Sequence, residues 1–254
     1  DYPMLMDFLT RNPDWPGEAY LLRRSEPAVI DAGSRAVVDF FADYTPQTPR
    51  GVLAFAQVQI RNGDTKAAEQ SVIAAWTSMQ MNDTSQALFL AAHDKLLAPH
   101  HATRLSEMLW QGAGSDSRRM FDLVSKDQTA LACARLALVN RADNADALVK
   151  ALPASVSGDP GLAYDRFVWR ARSGLADSAK DLLLAQSGSA KTLGKPQAWS
   201  NRRRALARDE MRDGDPKRAY QMAARHHLTS GSAFADLEWL AGYIALRKLG
   251  DPAT

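Results

Sequence analysis

Apolar residues recur at helical spacing along nearly the whole chain, and this pattern limits the possible folds more than any other feature. In residues 236–248 the apolar positions are Leu237, Leu240, Ala241, Ile244 and Ala245. This i, i+3, i+4, i+7, i+8 stripe is typical of a helix that buries one face. Alternating β-branched residues do not extend beyond short stretches. The sequence therefore predicts an all-α fold.

Turns that contain glycine divide this helical pattern. Residues 212–216 (RDGDP) are predicted to end one helix and to begin another over 217–224, because glycine favours a helix C-terminus whereas aspartate and proline favour an N-terminus. Similar turns precede the helices predicted over 66–79 and 177–185. Further hinges are expected at 112–114 and 140–143, and loops at 155–160 and 188–196.

The last helical segment has the same kind of boundaries. Asp236 and Glu238 are predicted to lie in its first turn, and Arg247 and Lys248 in its last turn, where each charge favours the helix dipole. Gly250 is expected in the left-handed conformation. Asp251 and Pro252 would then begin a further helix that the chain does not complete, so we expect a shortened chain.

The spacing of the glycine turns predicts helical hairpins that stack on one another. Gly174 and Gly214 are 40 residues apart, and Gly214 and Gly250 are 36 apart, which is the length of one hairpin in helical-repeat proteins. Such a hairpin buries its apolar face only against its neighbours. We therefore predict a single domain over residues 1–254, with roughly seven hairpins in a right-handed, TPR-like superhelix.

Charge is distributed unevenly along a chain of ordinary globular composition. Hydrophobic residues make up 46% and charged residues 24%, which allows a substantial core and argues against disorder. Residues 1–127 carry 12 basic and 16 acidic side chains, a net charge of −4, whereas residues 128–254 carry 19 and 13, a net charge of +6. This asymmetry favours an anionic partner for the second half but is too mild to indicate nucleic acid.

The residues that most often carry catalysis show no recognisable motif. Of the six glutamates, only Glu238 has apolar neighbours in sequence, and we interpret it as a helix N-terminal charge. No HExxH pattern is present, and His100 and His101 are predicted to be exposed or to cap a helix. Cys133 is predicted to be a small buried apolar residue. The sequence thus predicts no catalytic residue, no metal and no cofactor.

Most tryptophans are predicted to pack in the core. Trp76, Trp110, Trp169 and Trp239 each lie in an apolar helical stripe. Trp15 lies in a turn rich in proline and is expected to join the first helix to the second.

One basic cluster is the best candidate for binding: a run of three arginines, Arg202, Arg203 and Arg204, followed by Arg208 and Arg212. Arg204, Arg208 and Arg212 are spaced by four residues and therefore share one face of a helix. We predict that this basic ridge contacts the carboxylates of an anionic polymer through bidentate pairs. The alternative is a solvated face that Asp209 and Asp213 partly neutralise.

Several segments, in order along the chain, resemble the alphaproteobacterial soluble lytic murein transglycosylases. They are residues 11–16 (RNPDWP) with 21–26 (LLRRSE), 102–105 (ATRL) with 109–110 (LW), 159–166 (DPGLAYDR) with 169–170 (WR), and 238–247 (EWLAGYIALR) with 249–252 (LGDP). The resemblance extends from about residue 11 to the C-terminus.

The resemblance implies a periplasmic enzyme that cleaves the bond between N-acetylmuramic acid and N-acetylglucosamine and leaves a 1,6-anhydromuramic end. In that family a glutamate followed by serine acts as acid and base in a lysozyme-like C-terminal domain, without metal or cofactor, and N-terminal helices form a superhelix. No glutamate of this chain is followed by serine. The resemblance therefore implies a non-catalytic scaffold that positions a catalytic domain on peptidoglycan strands.

Two other classes of protein fit the same helical pattern. One is a TPR-like adaptor that binds periplasmic proteins and never contacts glycan. The other is an α/α-toroid glycosidase, which needs convergent carboxylates on its inner helices.

Overall fold

A computed structural model describes residues 2–12 and 14–251. In these residues the chain forms α-helices with short 3-10 and π turns, and no strand, which confirms the all-α prediction. None of the described helices combines the length and the apolar composition that crossing a bilayer requires. Contacts between Cα atoms divide the chain into two compact units, Asp1–Ser125 and Lys126–Thr254. The single domain over residues 1–254 stays a prediction.

The first unit contains eight α-helices in its described residues. They are α1 (Tyr2–Arg11), α2 (Glu18–Asp31), α3 (Ser34–Asp43), α4 (Pro49–Arg61), α5 (Thr65–Ser78), α6 (Asp83–Leu97), α7 (His101–Trp110) and α8 (Gly114–Arg119). Helix α4 packs against α3 and α5, and α5 also packs against α7. Helices that are close in sequence are thus also close in space, as a hairpin arrangement requires.

The second unit contains nine α-helices in the part that the structure describes. They are α9 (Lys126–Asn140), α10 (Ala145–Lys150), α11 (Ala154–Ser157), α12 (Pro160–Arg172), α13 (Ala176–Gln186), α14 (Ala190–Leu193), α15 (Pro196–Asp213), α16 (Pro216–Ala224) and α17 (Ser232–Ile244), followed by a π-helical turn, Ala245–Leu249. Helix α12 packs against α9 and α13, and α16 packs against α15 and α17. Phe167 and Trp199 stack at the centre of the larger apolar cluster, with ring centroids 4.8 Å apart.

Most of the predicted helix boundaries are confirmed. Helices end at Arg61, Arg172 and Asp213, and Gly63 and Gly174 follow with φ of 90° and 77°, values that favour glycine. Gly214 is extended instead, with φ −128°. The loops predicted over 155–160 and 188–196 were wrong in part, because each contains residues of a short helix, α11 or α14.

The last helix begins earlier than its charges suggested. Helix α17 starts at Ser232 after Gly231, so Asp236 and Glu238 lie beyond its first turn and the prediction for them was wrong. Gly250 does adopt the left-handed conformation, with φ 66°. The predicted helix start at Pro252 lies outside the described residues.

Three helices begin with a capping residue followed by proline. Thr48, Asp159 and Asp215 accept hydrogen bonds from the free backbone N–H groups of α4, α12 and α16. Proline comes next in each case and has no N–H to leave unsatisfied. These short sequence signals therefore fix where α4, α12 and α16 begin.

A glycine at the start of α12 makes room for a buried arginine. Arg135 of α9 is 1% exposed, and its guanidinium donates to Asp165 at 2.7 Å. A Cβ on Gly161 would fall well inside van der Waals distance of that guanidinium. Glycine is thus required here by close approach and not by backbone conformation.

The substitution Gly161→Ala is expected to lower the free energy of unfolding by about 1–3 kcal/mol, because the added methyl overpacks a fixed ionic contact. Alanine normally stabilises a helix relative to glycine. The predicted change in the free energy of unfolding therefore has the opposite sign to the change expected from helix propensity. Urea denaturation of the variant and the wild type measures it.

Gly158→Ala is the matched control, since an added Cβ there meets nothing within 4 Å. It is expected to change stability by no more than about 0.5 kcal/mol. If Gly161→Ala proves as stable as this control, the close approach of Arg135 does not constrain the site.

Candidate functional site

The basic ridge predicted on one helix does lie on one helix. Arg204, Arg208 and Arg212 all belong to α15. The Arg204 guanidinium bonds to Asp236 of α17 and donates to the Asn201 Oδ1 at 2.6 Å, and Arg212 pairs with Asp209. Arg208 is exposed and forms no ion pair with any of the described residues. The ridge thus combines one free guanidinium with two that carry partners.

The ion pair of Arg212 does not prevent this side chain from binding an anion. The Arg212–Asp209 pair is exposed on both sides, and such surface pairs are generally worth less than about 1 kcal/mol. A carboxylate that binds two donors of one guanidinium is a stronger partner. Glycan binding by Arg204, Arg208 and Arg212 stays a prediction.

The neighbouring Arg203, which belongs to the same basic cluster in the sequence, is buried and not part of a solvated face. It is fully buried and donates to the Met222 carbonyl at 2.8 Å and to the Ser187 hydroxyl at 2.7 Å. Burial lowers the pKa of Arg203 to about 10, so the side chain remains charged at neutral pH. It therefore ties α15 to α13 and α16 and holds the helix that carries the ridge.

Two histidines near the end of α16 fix the segment that leads into α17. The His226 Nδ1 accepts a hydrogen bond from the Leu228 N–H at 2.9 Å, and its Nε2 lies 2.8 Å from the Glu238 Oε1. A neutral ring with an accepting Nδ1 carries its proton on Nε2, which therefore donates to the carboxylate. His227 donates to the Ser187 carbonyl at 3.0 Å. Both side chains hold backbone and helix in place.

The buried glutamates are not the one that the sequence singled out. Glu238 lies beyond the first turn of α17, so its interpretation as a helix N-terminal charge was wrong; its side chain is half exposed and bonded to His226. Glu26 and Glu210 are almost fully buried instead. Each lies on the buried stripe of its helix, Glu26 four residues after Leu22 and Glu210 three residues after Ala207.

Both buried carboxylates bind the start of another helix or the turn before it. Glu26 accepts from the backbone N–H groups of Gln47 and Thr48, at 2.5 and 2.9 Å. Glu210 accepts from the Asp215 N–H at 3.3 Å and pairs with Lys180 at 2.6 Å. Burial raises the pKa of Glu26 despite these donors. Their oxygens are occupied by protein donors, which favours a structural role for both acids.

Three predictions about single side chains require correction. His101 is buried and packs against Trp76, with ring centroids 5.5 Å apart; it is neither exposed nor a cap. Cys133 is only half buried. Trp239 is 64% exposed, whereas Trp76 is fully buried as predicted. Trp239 lies off the stripe of Leu237, Leu240, Ala241 and Ile244 that α17 buries, which explains its exposure.

The exposed Trp239 is part of an apolar strip on the last helix. Its ring stacks on Tyr243 at 5.4 Å, and Leu246 lies one turn further along, exposed to 57%. Exposed aromatic side chains that share a face are typical of contact surfaces. The strip and the basic ridge are both carried by the second unit.

No group of three or more His, Cys, Asp or Glu side chains in residues 2–12 and 14–251 is placed to hold a metal ion.

Comparisons with protein-family models, with curated proteins and with solved structures found no match for this chain. The contacts of its own side chains are thus the physical basis for a functional conclusion.

Proposed function

We propose that this chain is the non-catalytic N-terminal scaffold of a periplasmic peptidoglycan lytic transglycosylase. The scaffold positions a lysozyme-like catalytic domain, encoded further along the polypeptide, on glycan strands. That domain cleaves the bond between N-acetylmuramic acid and N-acetylglucosamine to give 1,6-anhydromuropeptides. The proposal is supported by the ordered segments that resemble this family and by the all-helical fold.

The observation that carries the proposal is the role of the buried acids. An acid that protonates a glycosidic oxygen needs a raised pKa and a free oxygen that faces the substrate. Glu26 and Glu210 have the required burial, but their oxygens bind backbone N–H groups, and Glu210 also binds Lys180. Catalysis is accordingly assigned to another domain.

The packing of consecutive helices supports a superhelical arrangement. Extensive contacts join α4 to α5, α15 to α16 and α16 to α17, each pair within one unit. Hairpins that pack in sequence order form right-handed, TPR-like arrays with extended surfaces. Such a surface suits a linear polymer, which needs many weak contacts along its length.

Glycan contact is assigned to the basic ridge of α15. Muramyl peptides carry carboxylates, and the second half of the chain carries a net charge of +6. Arg208 is exposed and unpaired within the described part of the chain. Salt at 0.1 M screens the attraction between exposed charges that are more than about 10 Å apart. Each arginine–carboxylate contact of the ridge is therefore expected to be weak by itself.

Replacing Arg204, Arg208 and Arg212 together by glutamine is expected to lower the fraction of chain that sediments with purified sacculi several-fold at low salt. The loss is expected because each arginine removed takes away a charge-assisted contact. Wild-type binding should itself decline as salt rises towards 1 M. Co-sedimentation followed by gel densitometry measures both effects.

A control variant removes the same charge elsewhere in the second unit, with Arg172, Arg225 and Arg247 changed to glutamine. All three are exposed, and none pairs with an acid in the described residues. Equal losses in the two triple variants would show that net charge, and not the ridge, determines binding.

A second candidate function, a TPR-like adaptor for periplasmic proteins, is favoured by the exposed strip of Trp239, Tyr243 and Leu246. Parallel pull-downs with glycan strands and with periplasmic proteins separate the two functions. The adaptor requires protein binding that Trp239→Ser abolishes, together with no retention on glycan.

A further inference from the structure

A cavity between α9, α10, α12 and α13 lies apart from the basic ridge. Its volume is about 250 Å³, and it is lined by Leu138, Asp146, Val149, Arg166, Trp169, Arg170, Leu175 and Ser178. Typical small-molecule sites enclose about 300–1,000 Å³. The size therefore suits a single sugar residue or a similar small group.

Two arginines of the lining lie on the same face of α12. Arg166 and Arg170 are four residues apart, a spacing at which like charges repel. Arg170 donates to the Ser178 carbonyl at 3.1 Å, whereas Arg166 is half buried and has no hydrogen bond or ion pair within the described residues. Burial lowers the pKa of Arg170, and the nearby Arg166 lowers it further. An anion in the cavity would relieve this repulsion.

The remaining lining adds an aromatic surface and an acceptor. Trp169 lies between the two arginines in sequence and packs against the apolar cluster that contains Leu138. It is half buried. Asp146 lines the cavity as well and pairs with Lys150 at 2.6 Å. A ligand that fits all three features has a carboxylate, an apolar face and a hydroxyl or amide donor.

We propose that this cavity binds a sugar residue that carries a carboxylate. The carboxylate binds Arg166, the apolar face of the ring packs on Trp169, and a hydroxyl or amide N–H donates to Asp146. Pyranose rings have an apolar face made of C–H groups, which packs favourably on tryptophan. The inference rests on the proposed function, because among the sugars of peptidoglycan it identifies as the ligand an N-acetylmuramic acid whose lactyl carboxylate is not joined to a stem peptide.

The test compares two sugars that differ by one acidic group. N-acetylmuramic acid and N-acetylglucosamine share the pyranose ring and the acetamido group, but only the first has the lactyl carboxylate. We expect the full chain to bind N-acetylmuramic acid at least tenfold more tightly, as measured by NMR titration. Arg166→Gln should weaken that binding at least tenfold, since it removes a charge-assisted hydrogen bond.

Arg172→Gln is the matched control, because it removes the same charge from an exposed position of α12. It should leave the affinity for N-acetylmuramic acid within about twofold. Equal affinity for the two sugars, no measurable binding of N-acetylmuramic acid, or an Arg166→Gln variant with wild-type affinity would each overturn the proposal.

Sacculus binding separates failure of this inference from failure of the proposed function. If N-acetylmuramic acid does not bind while the wild-type chain still sediments with sacculi, only the inference fails. If neither interaction is found, the proposed function fails with it. Folding of each variant is checked by its unfolding midpoint in urea, which should match that of the wild type because Arg166 is unpaired within the described part of the chain.

Discussion

Replacing Arg104 by methionine is expected to lower the free energy of unfolding by about 3–5 kcal/mol, the range for removing one partner of a buried ion pair. The Arg104 side chain is fully buried, bonds to Asp116 at 3.1 Å and donates to the Trp76 and Met79 carbonyls at 2.5 and 2.9 Å. It also lies 4.6 Å from the centroid of the Trp76 ring. Methionine fills much of the volume but leaves the two carbonyls without this donor, and Asp116 keeps only Arg119 as an ionic partner among the described residues.

The measurement is urea denaturation at neutral pH, with Arg118→Met as the control. Arg118 is exposed on α8 and forms no ion pair with the described residues, so its replacement should change stability by no more than about 0.5 kcal/mol. A loss for Arg104→Met that is no larger than this control would mean that the buried arginine is dispensable for the first unit.

The second large effect expected is a dependence of stability on pH through Asp165. This carboxyl is buried beside Arg135, and burial raises its pKa from 3.8 to about 6, with Arg135 opposing the shift and Asp159 adding to it. In the unfolded chain an aspartate titrates near 3.9. At a pH between these two pKa values, the Asp165 carboxyl is protonated in the folded state and ionised in the unfolded state.

Stability is therefore expected to fall as the pH rises through this window. The free energy of unfolding of the wild type minus that of Asp165→Asn should be larger at pH 4 than at pH 7, by up to about 3 kcal/mol. Asp143→Asn, at an exposed position, should show no such change. A difference that grows with rising pH would show that Arg135 holds the folded carboxyl in its ionised form.

The helices and most of their ends could be predicted because they depend on local chemistry. The turn at residues 212–216 contains a glycine, a capping aspartate and a proline within five positions, and each acts on the backbone next to it. The start of α17 was missed, since Ser232 follows a glycine with φ 91° and the acidic residues further along suggested a later start.

Buried charges were the main omission, although the sequence contains a signal for them. Arg203 lies four residues after Trp199 and four before Ala207, on the stripe that α15 buries. Its position in a run of three arginines suggested a solvated face instead. A charged residue at a position of the buried apolar stripe indicates a buried polar contact. Its partners, such as the Met222 carbonyl, lie on other helices and cannot be identified from a local sequence pattern.

The cavity beside Trp169 could not be predicted for the same reason. Arg166 and Arg170 share a face of α12 by their spacing, but Asp146 and Leu175 reach the cavity from α10 and from the turn after α12. Only the packed arrangement brings these side chains together.

The division of labour between a glycan-binding scaffold and a separate catalytic domain is tested by incubating the chain with purified sacculi and then assaying both the pellet and the soluble products. We expect the chain to sediment with the sacculi and mass spectrometry to detect no 1,6-anhydromuropeptides in the supernatant. Release of such products by the chain alone, or failure to sediment at low salt, would contradict a glycan-binding scaffold that relies on another domain for catalysis.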